Sequence, residues 1–236
     1  MQESAPNPAE IISFAGLCVI VGGGPVDTEL LRELYLQGGH LVGADGGADI
    51  IAAAGLKPEA IIGDFDSLEN PMSWLGRTRL ITIAEQETTD FEKALYSTRA
   101  PVTVALGMTG RRFDHTLAAL DAVARQAVGR PVILVDEADI AIALSGKFAF
   151  TVEPRERVSV HPLVPIRFRV SEGLKYPLAG LKMAPGERTG TSNEATTGAF
   201  SIEPDPRGRP PAWMLILDRR HLFGVIDALL SRQATN

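Results

Sequence analysis

Between Leu17 and Val135, short apolar runs alternate with stretches of helical periodicity, and this alternation limits the fold more than any single residue does. Leu17–Val21, His40–Ala44, Ala60–Ile62, Arg79–Ile83, Val102–Leu106 and Val132–Val135 read as strands. Leu30, Leu31, Leu34 and Tyr35 form one helical stripe, and a short helix reaches Ala54 after the turn Asp45-Gly46-Gly47-Ala48. Phe91, Ala94 and Leu95 mark a third helix, while Phe113, Leu117, Leu120 and Ala124 share the apolar face expected of a fourth. Strands separated by helices build a parallel sheet covered by helices, and ligands in such sheets collect beyond the carboxyl ends of the strands. The glycine-rich and acidic turns fall at those ends.

Past Asp136 the texture changes. Ile140–Leu144, Phe148–Val152, Val158–His161, Phe168–Val170, Gly198–Ile202 and Trp213–Leu217 are β-like runs separated by Pro, Gly and charge, which predicts an antiparallel sandwich or barrel. A boundary is expected near residue 145, giving a first domain over 1–145, a β domain over 146–218 and a helical tail over 219–236. The Pro-rich stretch Glu203–Pro211 reads as a surface loop, and the tail, with Leu222, Val225, Ile226, Leu229 and Leu230, as a packing or subunit-contact helix.

Composition excludes several function classes. With 236 residues, 45% hydrophobic and 22% charged, the chain is long enough and apolar enough for a real core. Its net charge of -6 argues against a nucleic-acid partner. The single cysteine, Cys18, excludes an internal disulfide, suits a reducing compartment and reads as core filler. No apolar run has bilayer length, and Met1–Glu10 lacks the charged start and apolar middle of a secretory signal. A cytoplasmic protein without a membrane partner is expected.

The chemistry centres on Gly63-Asp64-Phe65-Asp66-Ser67. Side chains alternate along a strand, so Asp64 and Asp66 are expected on one side with Phe65 packing on the other. Paired carboxylates are tolerable when a divalent cation lies between them or one keeps its proton, and Mg²⁺ prefers such oxygen ligands; a solvated turn is the plain alternative. Asp90 either caps a helix with Thr89 or supplies a third ligand, and Lys93, three residues on, either pairs with it or meets a phosphate. Gly22-Gly23-Gly24 lets backbone amides approach a phosphate, although tight strand-to-helix turns are glycine-rich anyway. Asp45 is a turn former or a polar contact to a nucleotide. Arg112 is suited to gripping phosphoryl oxygens, Asp114 to orienting that guanidinium or capping a helix, and His115 reads as a hydrogen-bonded structural histidine. No zinc spacing, Walker-type loop or Ser-His-Asp order is present, so acids, glycine turns, one Arg and one Lys point to phosphoryl-type transfer.

The same residues carry a resemblance. Asp45-Gly46-Gly47-Ala48, the Gly63–Ser67 block, Thr89–Leu95, Gly107–His115, Gly173–Leu178 and Gly190–Glu194 follow the order of the thiamine pyrophosphokinase family, from about Cys18 to Leu217. The resemblance implies a Rossmann-like parallel α/β/α domain followed by an antiparallel β-sandwich, a homodimer with its active site near the interface, and transfer of pyrophosphate from ATP to thiamine with release of AMP. It implies Mg²⁺ on Asp64, Asp66 and Asp90, catalysis by these acids and Arg112, and ATP contacts from Gly23, Gly24, Asp45, Gly46, Lys93, Thr109, Gly110, Arg112 and Asp114. Gln86, Ser192 and Asn193 are implied to meet thiamine. The chain departs from many bacterial members, which have Lys and Gln at the positions of Gln86 and Thr88 and an Asn at that of Ala119. Eukaryotic members place an aromatic shortly after the Ser-Asn pair, where Glu194 and Ala195 stand here; Trp213 is a substitute stacking surface or, more in keeping with its run, a core residue. Two rival readings use the same acids: a Mg²⁺-dependent nucleotide pyrophosphatase, and a non-catalytic nucleotide sensor.

Overall fold

The computed structural model describes residues 12–127, 129–207 and 212–233. The sequence readings of Met1–Glu10 and of positions 208–211 in the Pro-rich stretch lie outside them. The chain divides into two compact units, Met1–Ala122 and Val123–Asn236.

The first unit contains β1 (Ile12–Ser13), β2 (Leu17–Val21), α1 (Thr28–Leu36), β3 (His40–Ala44), α2 (Gly47–Ala53), β4 (Ala60–Gly63), β5 (Arg79–Thr82), α3 (Asp90–Tyr96), β6 (Thr98–Arg99) and β7 (Val102–Leu106), and α4 (Phe113–Gln126) begins in it. Strands β7, β2, β3, β4 and β5 lie side by side in that order, all parallel. Every residue of β2, β4 and β7 is buried, as strands covered on both faces require. Cys18 is fully buried within β2, as a filler residue should be. The chain starts its sheet at β2, adds β3 to β5 on one side and then returns to add β7 on the other. The loops leaving β2 and β7 stay together, the Gly24 amide donating to the Gly107 carbonyl at 2.9 Å. The pair β1–β6, two residues each, is too short for any periodicity to announce it.

Helix α1 is capped by Asp27, whose carboxylate accepts from the amides of Glu29 and Leu30, and it buries Leu30, Leu31 and Leu34 while Tyr35 stays at its margin. Helix α4 departs from the expected stripe. Phe113 is 77% exposed and Leu117 49%, while the small residues Ala119, Ala122 and Val123 are the buried ones.

The second unit holds β8 (Val132–Val135), β9 (Asp139–Leu144), β10 (Phe148–Thr151), β11 (Ser159–Pro162), β12 (Ile166–Glu172), β13 (Lys182–Met183), β14 (Ala199–Pro204), β15 (Trp213–Asp218) and α5 (Leu222–Gln233). Strands β11, β15, β9 and β8 run antiparallel in that order, as do β10, β14, β12 and β13. Val132–Val135, expected to close the parallel series, also pairs antiparallel with β9. Trp213 of β15 meets Phe168 of β12 edge-on at 5.6 Å, and its indole N–H donates to the Gly146 carbonyl at 3.2 Å, so it is a core residue. In α5, Leu222, Val225, Ile226 and Leu229 are buried, so the expected tail is part of this unit's core. The fold is mixed α/β, and no helix among the described residues is long and apolar enough to cross a membrane.

Candidate active site

The carboxyl ends of β3 and β4 bring three acids together. One carboxylate oxygen from each of Asp45, Asp64 and Asp66 lies within 4.8 Å of the others. The route to this grouping is a turn rather than strand alternation. Strand β4 stops at Gly63, and Phe65 takes a left-handed conformation (φ 68°) that sends its ring toward Ala48, Ile61, Leu68 and Trp74. The Asp66 amide then donates to Asp64 Oδ1 at 3.3 Å, folding the two acids to one side.

Asp45 is placed by backbone crowding. It is left-handed (φ 46°), a conformation Asp tolerates, and the helix that follows is pressed against the end of β2. A Cβ on Gly47 would lie 1.8 Å from the Val21 carbonyl oxygen, so only glycine allows that approach. Asp45 Oδ2 accepts from the Ser67 amide at 3.0 Å, while Oδ1 is buried with no hydrogen-bond partner. Burial, with Asp90 and Asp66 adding repulsion against the opposing Ser67 bonds, raises the Asp45 pKa to about 6. Ser67 reaches the neighbouring acid too, its hydroxyl donating to Asp66 at 2.9 Å.

Asp90 stands beside this trio. Thr89 is the helix cap, its hydroxyl accepting from the Glu92 amide, so the Asp90 carboxylate is not spent on capping. Its Oδ1 accepts from the buried Lys93 ammonium at 3.1 Å, and the same ammonium lies 3.8 Å from Asp64. Burial raises the Asp90 pKa, Lys93 opposes that, and Asp64 and Asp66 add to it. Gly63 is the shared neighbour: a Cβ there would lie 3.0 Å from Asp45 Cβ and 3.1 Å from Asp90 Oδ1.

Gln86 donates to Asp64 Oδ2 at 2.7 Å, the first cause of that acid's lowered pKa. Its loop is held by Glu85, a residue sequence reasoning passed over. The Glu85 carboxylate accepts from the amides of Glu87 (2.7 Å) and Thr88 (3.0 Å), from the Thr88 hydroxyl and from Tyr96 at 3.1 Å. Burial pushes Glu85 upward, but these bonds together hold it below the ordinary carboxylate range. The spacing Glu85-x-x-Thr88 was the one signal available.

Other expected residues fall elsewhere. Gly23 and Gly24 follow β2, and the Gly24 amide donates to Gly107 O at 2.9 Å. A Cβ at Gly24 would lie 2.5 Å from Gly107 O and 3.1 Å from Thr109 O, which fixes the Thr109–Gly110 loop against the Gly23 turn. Gly46 is the N-cap position of α2, beside Ser67. Arg112 and Asp114 are both exposed and pair with each other at 2.6 Å, the carboxylate orienting the guanidinium; His115 is exposed as well. In the second unit, Ser192 is exposed in a left-handed turn (φ 56°). Asn193 is buried and its side chain is committed: Oδ1 accepts from the amides of Tyr176 and Glu194, and Nδ2 donates to the Tyr176 carbonyl. That side chain pins two turns together.

An all-carboxylate donor set with an orphaned buried oxygen fits a hard divalent cation. Residues 32–134, which contain this set, match the family model described as thiamin pyrophosphokinase, catalytic domain. Over these residues the chain is similar to the thiamin pyrophosphokinase family. It is 28% identical over 222 residues to thiamin pyrophosphokinase 1 of Caenorhabditis elegans, covering 84% of this chain and 89% of that one. The crystal structure of thiamin pyrophosphokinase from Geobacillus thermodenitrificans superposes with a TM-score of 0.70 at 25% identity, covering 86% of this chain and 97% of that one. Thiamin pyrophosphokinase from Candida albicans, at 18% identity, shares the fold (TM-score 0.69, 90% and 94% covered).

Proposed function

We propose that this chain is a thiamine diphosphokinase, a transferase that moves the diphosphate group of ATP to the hydroxyl of thiamine, giving thiamine diphosphate and AMP. The observation that carries this is the grouping of Asp45, Asp64 and Asp66 within 4.8 Å, with Asp90 and Lys93 alongside, in a chain similar to this family. Neither the pyrophosphatase nor the sensor reading has a finding in its favour.

Asp45, Asp64 and Asp66 would hold Mg²⁺, in place of the Asp64, Asp66 and Asp90 set that the resemblance implies. Mg²⁺ bound there neutralises charge on the phosphate oxygens of ATP. Lys93 keeps Asp64 and Asp90 turned inward. Asp90, outside the trio and with its proton affinity raised by burial, accepts the thiamine hydroxyl proton on the oxygen not bonded to Lys93. Arg112, oriented by Asp114, offers its remaining N–H groups to phosphate oxygens. Gly23, Gly24, Gly46, Thr109 and Gly110 supply the backbone walls of the nucleotide side. The thiamine side is assigned to Gln86 and Ser192, with Asn193 shaping the turn that carries Ser192.

We assign nucleotide binding to the first unit, and thiamine contact and dimerisation to the second, whose Trp213–Phe168 contact between β15 and β12 supports a β-sandwich. A cytoplasmic homodimer is proposed with this assignment. The test is AMP release from ATP and Mg²⁺ with and without thiamine. Thiamine-dependent AMP and thiamine diphosphate in equal amounts are expected, and Asp64→Asn should lower turnover by about 100-fold or more with the fold intact. AMP released at the same rate without thiamine would replace this function with hydrolysis.

A further inference from the structure

In the second unit the Glu156 carboxylate, in the loop between β10 and β11, is clasped from the start of α5. Only 11% of its side chain is exposed. One oxygen meets His221 Nε2 at 2.7 Å, and the other accepts from the Arg220 guanidinium at 2.8 Å and from the Glu153 amide at 2.9 Å. Arg220 and His221 belong to the single turn, Arg219–His221, that leads into α5. The His221 ring is seated in its turn, edge-on to Phe150 of β10 with 5.8 Å between ring centres. Burial pushes the Glu156 pKa up, but these bonds together hold it below the ordinary carboxylate range.

The main chain on either side of Glu156 carries that grip to another turn. The Arg155 amide donates to the Ala195 carbonyl at 2.8 Å, the Ala195 amide to the Glu156 carbonyl at 2.9 Å, and the Val158 amide to the Asn193 carbonyl at 2.8 Å. One residue on, the buried Ser159 hydroxyl accepts from the Ser192 amide at 3.0 Å. Residues 155–159 are therefore the bed on which 192–195 lies. Arg155 within it is left-handed (φ 68°), a conformation that a long L side chain keeps only where surrounding bonds impose it. Charge-assisted bonds to a carboxylate largely withdrawn from water are the strongest such bonds in this loop.

We infer that Glu156 is a positioning residue for the thiamine side of the proposed reaction: clasped by His221 and Arg220, it holds the loop that sets the Ser192 turn. The inference rests on the assignment of Ser192 to thiamine. Glu156 acts through that turn and not on the substrate itself. A turn released from its bed samples several orientations, and binding must then select one, which weakens capture of thiamine and leaves capture of ATP alone. The start of α5 thereby gains a part in substrate recognition.

The experiment measures kcat and the KM values for thiamine and ATP in Glu156→Ala, Glu156→Gln, His221→Phe and the double variant E156A/H221F. Hydrogen exchange of the 192–195 amides is followed alongside by mass spectrometry without ligands. Glu156→Ala should raise KM for thiamine about tenfold, with KM for ATP within about twofold, and should speed exchange over 192–195. Glu156→Gln keeps an acceptor for Arg220 and should recover part of both. His221→Phe keeps a ring against Phe150 and should show part of the loss, and the double variant should be no worse than Glu156→Ala, because the two residues act through one contact. An unchanged KM for thiamine in Glu156→Ala and His221→Phe, equal rises in both KM values, additive losses in the double variant, or unchanged exchange at 192–195 would overturn the positioning role while the reaction stands. No thiamine-dependent AMP from the unaltered chain would instead overturn the reaction, and this role with it, even where exchange is quickened.

Discussion

Among the acids of the candidate site, Asp45 is the one whose ionisation is least compensated, with its pKa raised from 3.8 to about 6 by burial. Below the lower value it is protonated in both folded and unfolded chains. Between the two values the folded chain keeps a proton that the unfolded chain releases, so this group's contribution to stability is fully present below 3.8 and is lost as pH rises through about 6. The loss is roughly 3 kcal/mol in the metal-free protein. Asp45→Asn removes the charge. In EDTA the variant should therefore exceed the unaltered chain in stability above pH 6 and show a flatter pH dependence, while gaining less from added Mg²⁺. Urea melts at pH 5 and pH 8, with and without Mg²⁺, measure all three effects. An unchanged pH dependence would mean that another group titrates. The sequence exposed Asp45 as a polar residue at a strand end, but its place beside Asp64 and Asp66 depends on Gly47 fitting against the Val21 carbonyl, a contact between distant segments that no local pattern records.

Glu85, in the loop between β5 and α3, shows how an element can set a site through a residue that does not itself touch a substrate. Four donors converge on the Glu85 carboxylate, and the loop they close presents Gln86 to Asp64. Glu85→Ala leaves those donors without their acceptor, each partly buried donor costing about 1–3 kcal/mol unless water replaces it. The variant should lose about tenfold or more in thiamine-dependent turnover and melt at a lower temperature. Glu85→Gln, which keeps one carbonyl acceptor, should recover part of both. Turnover equal to the unaltered chain in Glu85→Ala would separate this loop from catalysis. Elements were legible where burial is two-sided: Leu17–Val21, His40–Ala44 and Val102–Leu106 fold as strands with the bounds their apolar runs suggest, since both faces exclude water. In α4 the same reasoning chose the larger side chains for the interior, yet Ala119, Ala122 and Val123 are buried, because small residues let a helix approach closely. The Asp64–Ser67 turn was read as strand because alternation gives the same grouping of acids that the Phe65 turn achieves by another route.

For the molecule as a whole, Val132–Val135 shows what the sequence leaves open: an apolar run four residues long carries no mark of whether its partner runs parallel or antiparallel, and its antiparallel pairing with β9 was not legible. Assembly is where exposed surface speaks. Phe113 and Leu117 stand on one side of α4 with their side chains in solvent, an apolar area a soluble chain keeps small unless something covers it. If a second copy covers it, Phe113→Glu should lower the mass seen by light scattering from dimer to monomer, with the circular dichroism spectrum unchanged. A variant that remains dimeric would move the subunit contact to another face. The same experiment has a convenient reporter. Because the chain's one thiol, Cys18, is sealed inside β2, a cysteine introduced at Leu117 would be the sole position open to maleimide, so a fluorophore attached there could follow subunit exchange without background from the native sulfur.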